Sequence, residues 1–297
     1  MTRWLVTGAG GMLGRDLIAV LADAPGAEPT AAARADLDVT DPAAVDAAVA
    51  GHDIVVNAAA WTDVDGAEAD EAAATRVNGE GARCLALACA RHGVPLLQVS
   101  TDYVFPGDAT APYAEDAPTA PVNAYGRSKL AGERAVLELL PERGYVVRTA
   151  WLYGAHGRNF VSTMLTLAGQ RETLDVVDDQ LGQPTWTRSL ALRLTQLGAA
   201  ALAGHAPAGV YHGTASGRTT WYGLARAAFA LHGLDPERVR PTTSEKFVRP
   251  ARRPSYSVLG HDRWAAAGLG PMPDWHTELS AAIPGLSAAL SAPRAAR

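Results

Sequence analysis

Tyr125 and Lys129 stand four residues apart in Tyr125-Gly126-Arg127-Ser128-Lys129, which on a helix puts both side chains on one face, one turn apart. A phenol beside an ammonium is a proton-delivery pair. The cation favours the phenolate and is expected to draw the phenol down from about 10 towards the working pH. A hydroxyl at Thr101 would complete the set by donating to a carbonyl oxygen as it gains charge. Composition makes the spacing informative: the 297 residues include eight tyrosines and only two lysines, Lys129 and Lys246. Random placement yields a Tyr-x-x-x-Lys with a frequency of about 0.05. The other basic residues are arginines, whose wide, delocalised fork does not tune a phenol as a compact ammonium does. Thr101, Tyr125 and Lys129 together suit the reduction of a ketone.

Such a site needs a scaffold, and the composition describes an ordinary globular one. Hydrophobic residues make up 48% and charged residues 19%, with a net charge of −5. That balance provides no basic field for nucleic acid. Cys84 and Cys89 lie five apart in an Ala-rich stretch, a spacing that suits neither zinc nor a disulfide framework and implies core thiols in a reducing compartment. No metal site is expected. The start, Met1-Thr2-Arg3-Trp4-Leu5-Val6-Thr7, runs directly into glycines, and no run of 18 apolar residues follows, so a cytoplasmic protein without a membrane partner is expected. Asp23 to Pro29 reads as a loop and Ser291 to Arg297 as a loose tail.

The first third alternates short apolar strands with helical stretches, the pattern of a parallel sheet covered on both faces. Strands are expected at Trp4 to Thr7, Asp53 to Asn57, Pro95 to Ser100 and Tyr145 to Thr149. Helices are expected over Met12 to Ala22, around Cys84, and from Tyr125 to about Leu140. Beyond Trp151 the pattern loosens, although Ser189 to Leu202 and Gly209 to Gly213 suit a helix and a strand returning to the sheet. The expected fold is α/β: a Rossmann-type doubly wound parallel sheet with a smaller C-terminal substrate-binding lobe. Residues 1–153 would form the dinucleotide-binding part, completed by 185–215, and 154–297 mainly the lobe.

Gly8-Ala9-Gly10-Gly11-Met12-Leu13-Gly14 joins the first strand to the first helix, where backbone amides can approach a pyrophosphate at a positive helix end. Its spacing is Gly-x-x-Gly-x-x-Gly (Gly8, Gly11, Gly14) rather than the standard Gly-x-Gly-x-x-Gly. The end of the second strand reads Ala31-Ala32-Ala33-Arg34-Ala35-Asp36. Arg34, with no carboxylate just before it, favours the 2′-phosphate of NADPH, with NADH as the alternative.

These residues together resemble the extended short-chain dehydrogenase/reductase family and, within it, the dTDP-4-dehydrorhamnose reductase branch. The resemblance spans nearly the whole chain in ordered segments: Gly8 to Gly14, Leu37-Asp38-Val39-Thr40-Asp41-Pro42, Asn57 to Asp65, Ser100-Thr101-Asp102-Tyr103-Val104-Phe105, Asn123 to Lys129, Arg148-Thr149-Ala150-Trp151-Leu152-Tyr153, and Asp179 to Thr185. It implies that Gly11, Met12 and Leu13 contact the cofactor pyrophosphate, Asp38 and Val39 flank the adenine, and Ala60, Trp61 and Thr62 line the cofactor cleft. It also implies that Thr101 and Asp102 touch the sugar and that Trp151 closes the substrate pocket. The family commonly has His where this chain has Trp61. The similar 4,6-dehydratases carry Asp-Glu where this chain has Asp102-Tyr103. Without that Glu, the group needed for elimination is missing and a plain reductase remains.

The implied reaction is NADPH-dependent reduction of the 4-keto group of dTDP-6-deoxy-L-lyxo-4-hexulose to dTDP-L-rhamnose, with Tyr125 as acid, Thr101 on the same oxygen and Lys129 on the nicotinamide ribose. Arg218, Arg253 and Asn159 are candidate phosphate or sugar partners in the lobe, and a monomer or homodimer is expected. Two alternatives stand beside this reading: a reductase of another nucleotide-activated 4-keto-deoxysugar, and a non-catalytic reductase-like regulatory subunit.

Overall fold

The computed structural model describes residues 1–291, so most of the tail expected over 291–297 lies outside the described residues. The first half runs β1 (Thr2–Thr7), α1 (Met12–Asp23), β2 (Ala27–Ala32), α2 (Pro42–Val49), β3 (Ile54–Asn57), α3 (Val64–Ala69) and α4 (Glu71–Thr75). A π-helical turn over Arg76–Glu80 leads into α5 (Gly81–His92), β4 (Leu96–Thr101), α6 (Ala124–Leu139) and β5 (Gly144–Thr149). There follow β6 (Leu152–Tyr153), α7 (Phe160–Ala168), β7 (Leu174–Val177), β8 (Leu181–Gly182), β9 (Thr185–Trp186) and α8 (Thr187–Leu202). The described residues end with β10 (Gly209–His212), β11 (Thr219–Thr220), α9 (Trp221–Leu231), β12 (Val239–Thr242) and α10 (Trp275–Ser291).

Six strands form one sheet in the order β10-β5-β4-β3-β1-β2, and every pairing in it is parallel. Successive residues of each strand point to opposite faces, so a parallel sheet covered on both sides needs apolar residues throughout. Trp4, Val6, Ile54, Val56, Leu97 and Val147 accordingly pack on one face with Leu17 of α1 and Leu190 and Leu194 of α8. Leu5, Val55, Leu96 and Val146 pack on the other with Val45 of α2, Leu85 of α5 and Val136 of α6. β10 reaches the sheet from late in the chain and pairs with β5.

The loop expected over Asp23 to Pro29 is shorter than its composition suggests, because Ala27–Ala32 is a strand. Pro29 is tolerated there since β2 is the sheet edge and has β1 on one side only. The lobe packs α7, α9 and α10 around Leu165, Leu224, Leu279 and Leu286. No helix among the described residues is long and apolar enough to cross a membrane.

Between α6 and β5 lies a buried ion pair. Glu133 of α6 accepts from Arg148 of β5 at 2.8 Å and from Ser100 Oγ at 2.5 Å. Arg148 and Glu133 are 4% and 1% exposed, so each carries the other's charge compensation. At the helix start, the Asn123 side chain caps α6 by accepting from Gly126 N at 2.8 Å.

Candidate active site

Strand order reverses between β1 and β3, where open parallel sheets take their ligands beyond the strands' carboxyl ends. A cleft of about 970 Å³ opens there. Gly8, Gly11, Met12, Leu13 and Gly14 follow β1, Arg34, Asp38 and Val39 follow β2, and Ala60, Trp61 and Thr62 follow β3; all line the cleft. Thr101 and Asp102 at the end of β4, Tyr125 and Lys129 on α6, and Trp151 after β5 line it too.

The glycine loop is shaped by backbone packing. Gly8 has φ +69°, and a Cβ there would come within 2.5 Å of Ala59 N, so only glycine lets the loop lie against the chain leaving β3. Gly11 is the N-cap of α1 and supplies no side-chain hydrogen bond, which leaves the first-turn amides free to receive an anion. A dinucleotide fits a cleft of this size with such a helix start. Arg34 is exposed at the cleft margin. Asp38 Oδ1 accepts from Thr40 N at 2.9 Å and Thr40 Oγ1 at 2.8 Å. These bonds hold its carboxyl below the usual range, and the charges of Arg34 and Arg76 add to the effect.

The side of the cleft beyond β4 is built from buried polar groups. Lys129 is 3% exposed and its Nζ donates to Val99 O at 2.6 Å. Burial lowers its pKa to about 8, with Glu133 opposing. Thr101 Oγ1 donates to Asp102 Oδ1 at 3.0 Å and accepts from Tyr103 N at 3.2 Å. Asp102 Oδ2 has no hydrogen-bond partner among the described residues. Burial pushes this carboxyl up to about 6, against the pull of Ser257 and Thr101.

The expectation that Lys129 draws the Tyr125 phenol down is corrected. Burial, and then the Asp102 charge, raise Tyr125 above its ordinary value, with Thr101 opposing. Desolvation of a phenolate costs more here than the lysine, turned towards Val99, returns. The phenol stays protonated at neutral pH, the form a proton donor needs.

Trp151 is the one non-glycine residue at positive φ among the described residues, at 47°. A bulky side chain in the left-handed region is strained by roughly 1–3 kcal/mol and persists only where its surroundings demand it. Its indole stacks on Trp221 with ring centroids 3.5 Å apart and planes 8° apart. A Cβ on Gly182 would approach that indole to 2.6 Å, so the glycine makes room for the ring.

Three lobe candidates are not among the residues that line the cleft. Asn159 is the N-cap of α7, and Arg253 pairs with Asp65 at 3.1 Å. Arg218 lines a separate pocket of about 340 Å³ with Gln183 and His261. Sequence reasoning missed Trp221, Arg76 and Arg158, which line the cleft, and Asn78. Asn78 Oδ1 accepts from Trp61 N at 2.8 Å and its Nδ2 donates to Ser128 Oγ at 2.9 Å, tying the wall after β3 to α6. An amide inside an otherwise Ala-rich helical stretch was a usable signal for Asn78. The other three had none, because their neighbours are distant in the chain.

A parallel sheet whose first turn is a glycine loop, with a Tyr-x-x-x-Lys helix facing that loop across one cleft, defines a short-chain dehydrogenase/reductase. Residues 2–287 match the family described as the RmlD substrate binding domain. The chain belongs to that family. It is 60% identical over 286 residues to a dTDP-4-dehydrorhamnose reductase of Streptomyces griseus, covering 96% of this chain and 94% of that one. It is 54% identical to a dTDP-4-keto-6-deoxy-D-glucose reductase of Streptomyces niveus, covering 96% and 98%. The crystal structure of dTDP-4-dehydrorhamnose reductase from Bacillus anthracis in complex with NADP superposes with a TM-score of 0.90 at 36% identity, covering 96% of this chain and 99% of that one.

Proposed function

We propose that this chain uses NADPH to reduce the 4-keto group of dTDP-4-dehydro-L-rhamnose (dTDP-6-deoxy-L-lyxo-4-hexulose), giving dTDP-L-rhamnose. The carrying observation is that Thr101, Tyr125 and Lys129 face the same cleft as the glycine loop, in a chain 60% identical to a reductase named for that substrate. Gly11, Met12 and Leu13 hold the cofactor diphosphate, Asp38 and Val39 flank the adenine, and Arg34 takes the 2′-phosphate. NADH binds in the same way with one contact fewer. Reduced nicotinamide supplies a hydride when bound in this cleft.

Tyr125, kept neutral by burial, delivers its proton to the ketone oxygen. Thr101 stabilises that oxygen once its hydroxyl turns from Asp102, and a sugar hydroxyl donating to the unpartnered Asp102 Oδ2 holds the carboxylate in exchange. Lys129 places its remaining donors on the nicotinamide ribose, and Val99 O fixes its head. Trp151 closes the sugar pocket. Residues 1–153, completed by 185–215, carry the cofactor, and most of 154–297 carries the sugar nucleotide. The protein acts as a monomer or homodimer in a reducing cytoplasm, where Cys84 and Cys89 stay free. Burial pushes the Cys89 thiol up to about 12, which leaves it inert.

The name of the Streptomyces niveus relative favours one second reading, a different dTDP-4-keto-6-deoxy sugar as substrate. The test is NMR of the product formed from dTDP-4-keto-6-deoxyglucose with a 3,5-epimerase, this protein and NADPH. dTDP-L-rhamnose is expected. Turnover only without the epimerase supports the second reading, and no NADPH oxidation with either substrate sinks both.

A further inference from the structure

Arg158 lines the cleft together with Gly10, Gly11 and Met12, is exposed, and has no hydrogen-bond or ion-pair partner among the described residues. The segment that carries it, residues 154–159, is fastened to the start of α1. Asn159 Nδ2 donates to Gly154 O at 2.8 Å and lies 3.8 Å from Met12 Sδ. Thr187 Oγ1 donates to Asp16 Oδ2 of α1 at 2.5 Å and lies 3.2 Å from Tyr153 O, just before the segment. His156 Nε2 is 3.9 Å from Asp16 Oδ1. The anchored residues therefore flank Gly157 and Arg158, and the free guanidinium stands beside the glycine loop.

The charge balance at that helix end is incomplete. The α1 terminus has amides without a side-chain cap, and the nearby Arg15 is spent on Gly10 O, with its Nε donating at 3.2 Å. A dinucleotide diphosphate brings roughly two negative charges to this point, more than backbone dipoles alone neutralise. We propose that Arg158 is the side-chain counter-ion of the cofactor diphosphate, reaching from the 154–159 segment to the N-terminus of α1. The inference rests on the dinucleotide reading above. It separates two arginines by role: Arg34 reads the phosphate that distinguishes NADPH, whereas Arg158 serves the diphosphate that NADPH and NADH share.

Dissociation constants for NADPH, NADH, adenosine 2′-monophosphate and dTDP, measured by fluorescence titration or calorimetry on wild type, Arg158→Ala and Arg158→Lys, test this. Arg158→Ala is expected to weaken NADPH and NADH by the same factor, about tenfold, as loss of one charge-assisted contact requires. Arg158→Lys should recover part of the loss, and neither variant should change binding of the 2′-monophosphate or dTDP. Unchanged dinucleotide affinity overturns the proposal, as does a loss confined to NADPH, which would make Arg158 a 2′-phosphate ligand. A loss confined to dTDP would assign it to the sugar nucleotide and overturn it as well. If the wild type binds neither dinucleotide, the cofactor reading itself fails and the role of Arg158 fails with it.

Discussion

On the side of the cleft that follows β1 and β2, the ligand-facing groups are backbone amides and an exposed arginine; on the side that follows β4 they are side chains taken almost wholly out of water. Gly8 and Gly11 act through what they lack, and Arg34 meets solvent. Thr101, Asp102 and Lys129 are 6%, 2% and 3% exposed, and burial makes the Asp102 carboxyl hold its proton more tightly and the Lys129 ammonium less tightly. A cofactor carrying fixed charges is held by shape, backbone dipoles and arginines whose charge never changes. Moving a proton requires groups whose charge states the protein controls, and desolvation is the means of control. Substitutions on the two sides should therefore fail differently: on the first by affinity, on the second by rate and by pH-dependent stability.

The largest effect is expected from Tyr125→Phe, which removes only the acid. Turnover should fall by roughly 10² to 10⁴ while the dissociation constant for NADPH stays at its wild-type value. Near-normal turnover in the folded variant would take Tyr125 out of the acid role and erase the contrast between the two sides.

Next in size is Glu133→Ala, which strands Arg148 without its partner behind the catalytic helix. Loss of about 3–5 kcal/mol of unfolding free energy is expected from urea titration, as for a buried charge left unpaired. A change below about 1 kcal/mol would mean that the pair behaves like a surface contact.

Asp102→Asn sharpens the comparison through pH. Burial pushes the folded carboxyl up to about 6 from an ordinary value of 3.8, so the native state prefers the protonated form. The wild type carries no penalty below the unfolded value, acquires it as pH rises through the folded value, and carries all of it above. The amide should therefore stabilise the protein by roughly 2–3 kcal/mol at pH 7.5 and by little at pH 3.5. Chemical denaturation at both values decides the matter. An equal gain at both would show that desolvated charge is not the cause.

Arg34→Ala is expected to have the smallest effect. KM for NADPH should rise by about one to two decades, with NADH nearly unchanged, because only the phosphorylated ribose loses a charge-assisted contact. Steady-state kinetics with both cofactors measures it. Equal losses would assign Arg34 to the adenine or the fold, and a wild-type preference for NADH would overturn the reading of the second strand's end.

Much of the site on both sides was legible because its signals are local. Gly8, Gly11 and Gly14 sit between an apolar strand and a helix within a few residues, and the helical spacing of Tyr125 and Lys129 needs no distant contact. β2 was less legible: Ala27–Ala32 contains Glu28 and Pro29, and only its edge position makes a strand of it. Asn159 and Arg253 carried the right chemistry for a ligand but found partners in the protein, one as a helix cap and the other on Asp65. Trp221 meets Trp151 across seventy residues of chain, and no pattern near either position announces the stack.

The sequence by itself determined the α/β order, the glycine turn and which residue types are available for acid chemistry, since each follows from backbone periodicity and spacing over a few residues. Only the tertiary structure decided how those groups titrate. Lys129 faces Val99 O and is closed off from water, and Tyr125 lies half-buried near Asp102, among elements far apart in the chain. The desolvation that sets their proton affinity belongs to the assembled surroundings, which is why the phenol expected to be drawn down is instead held neutral.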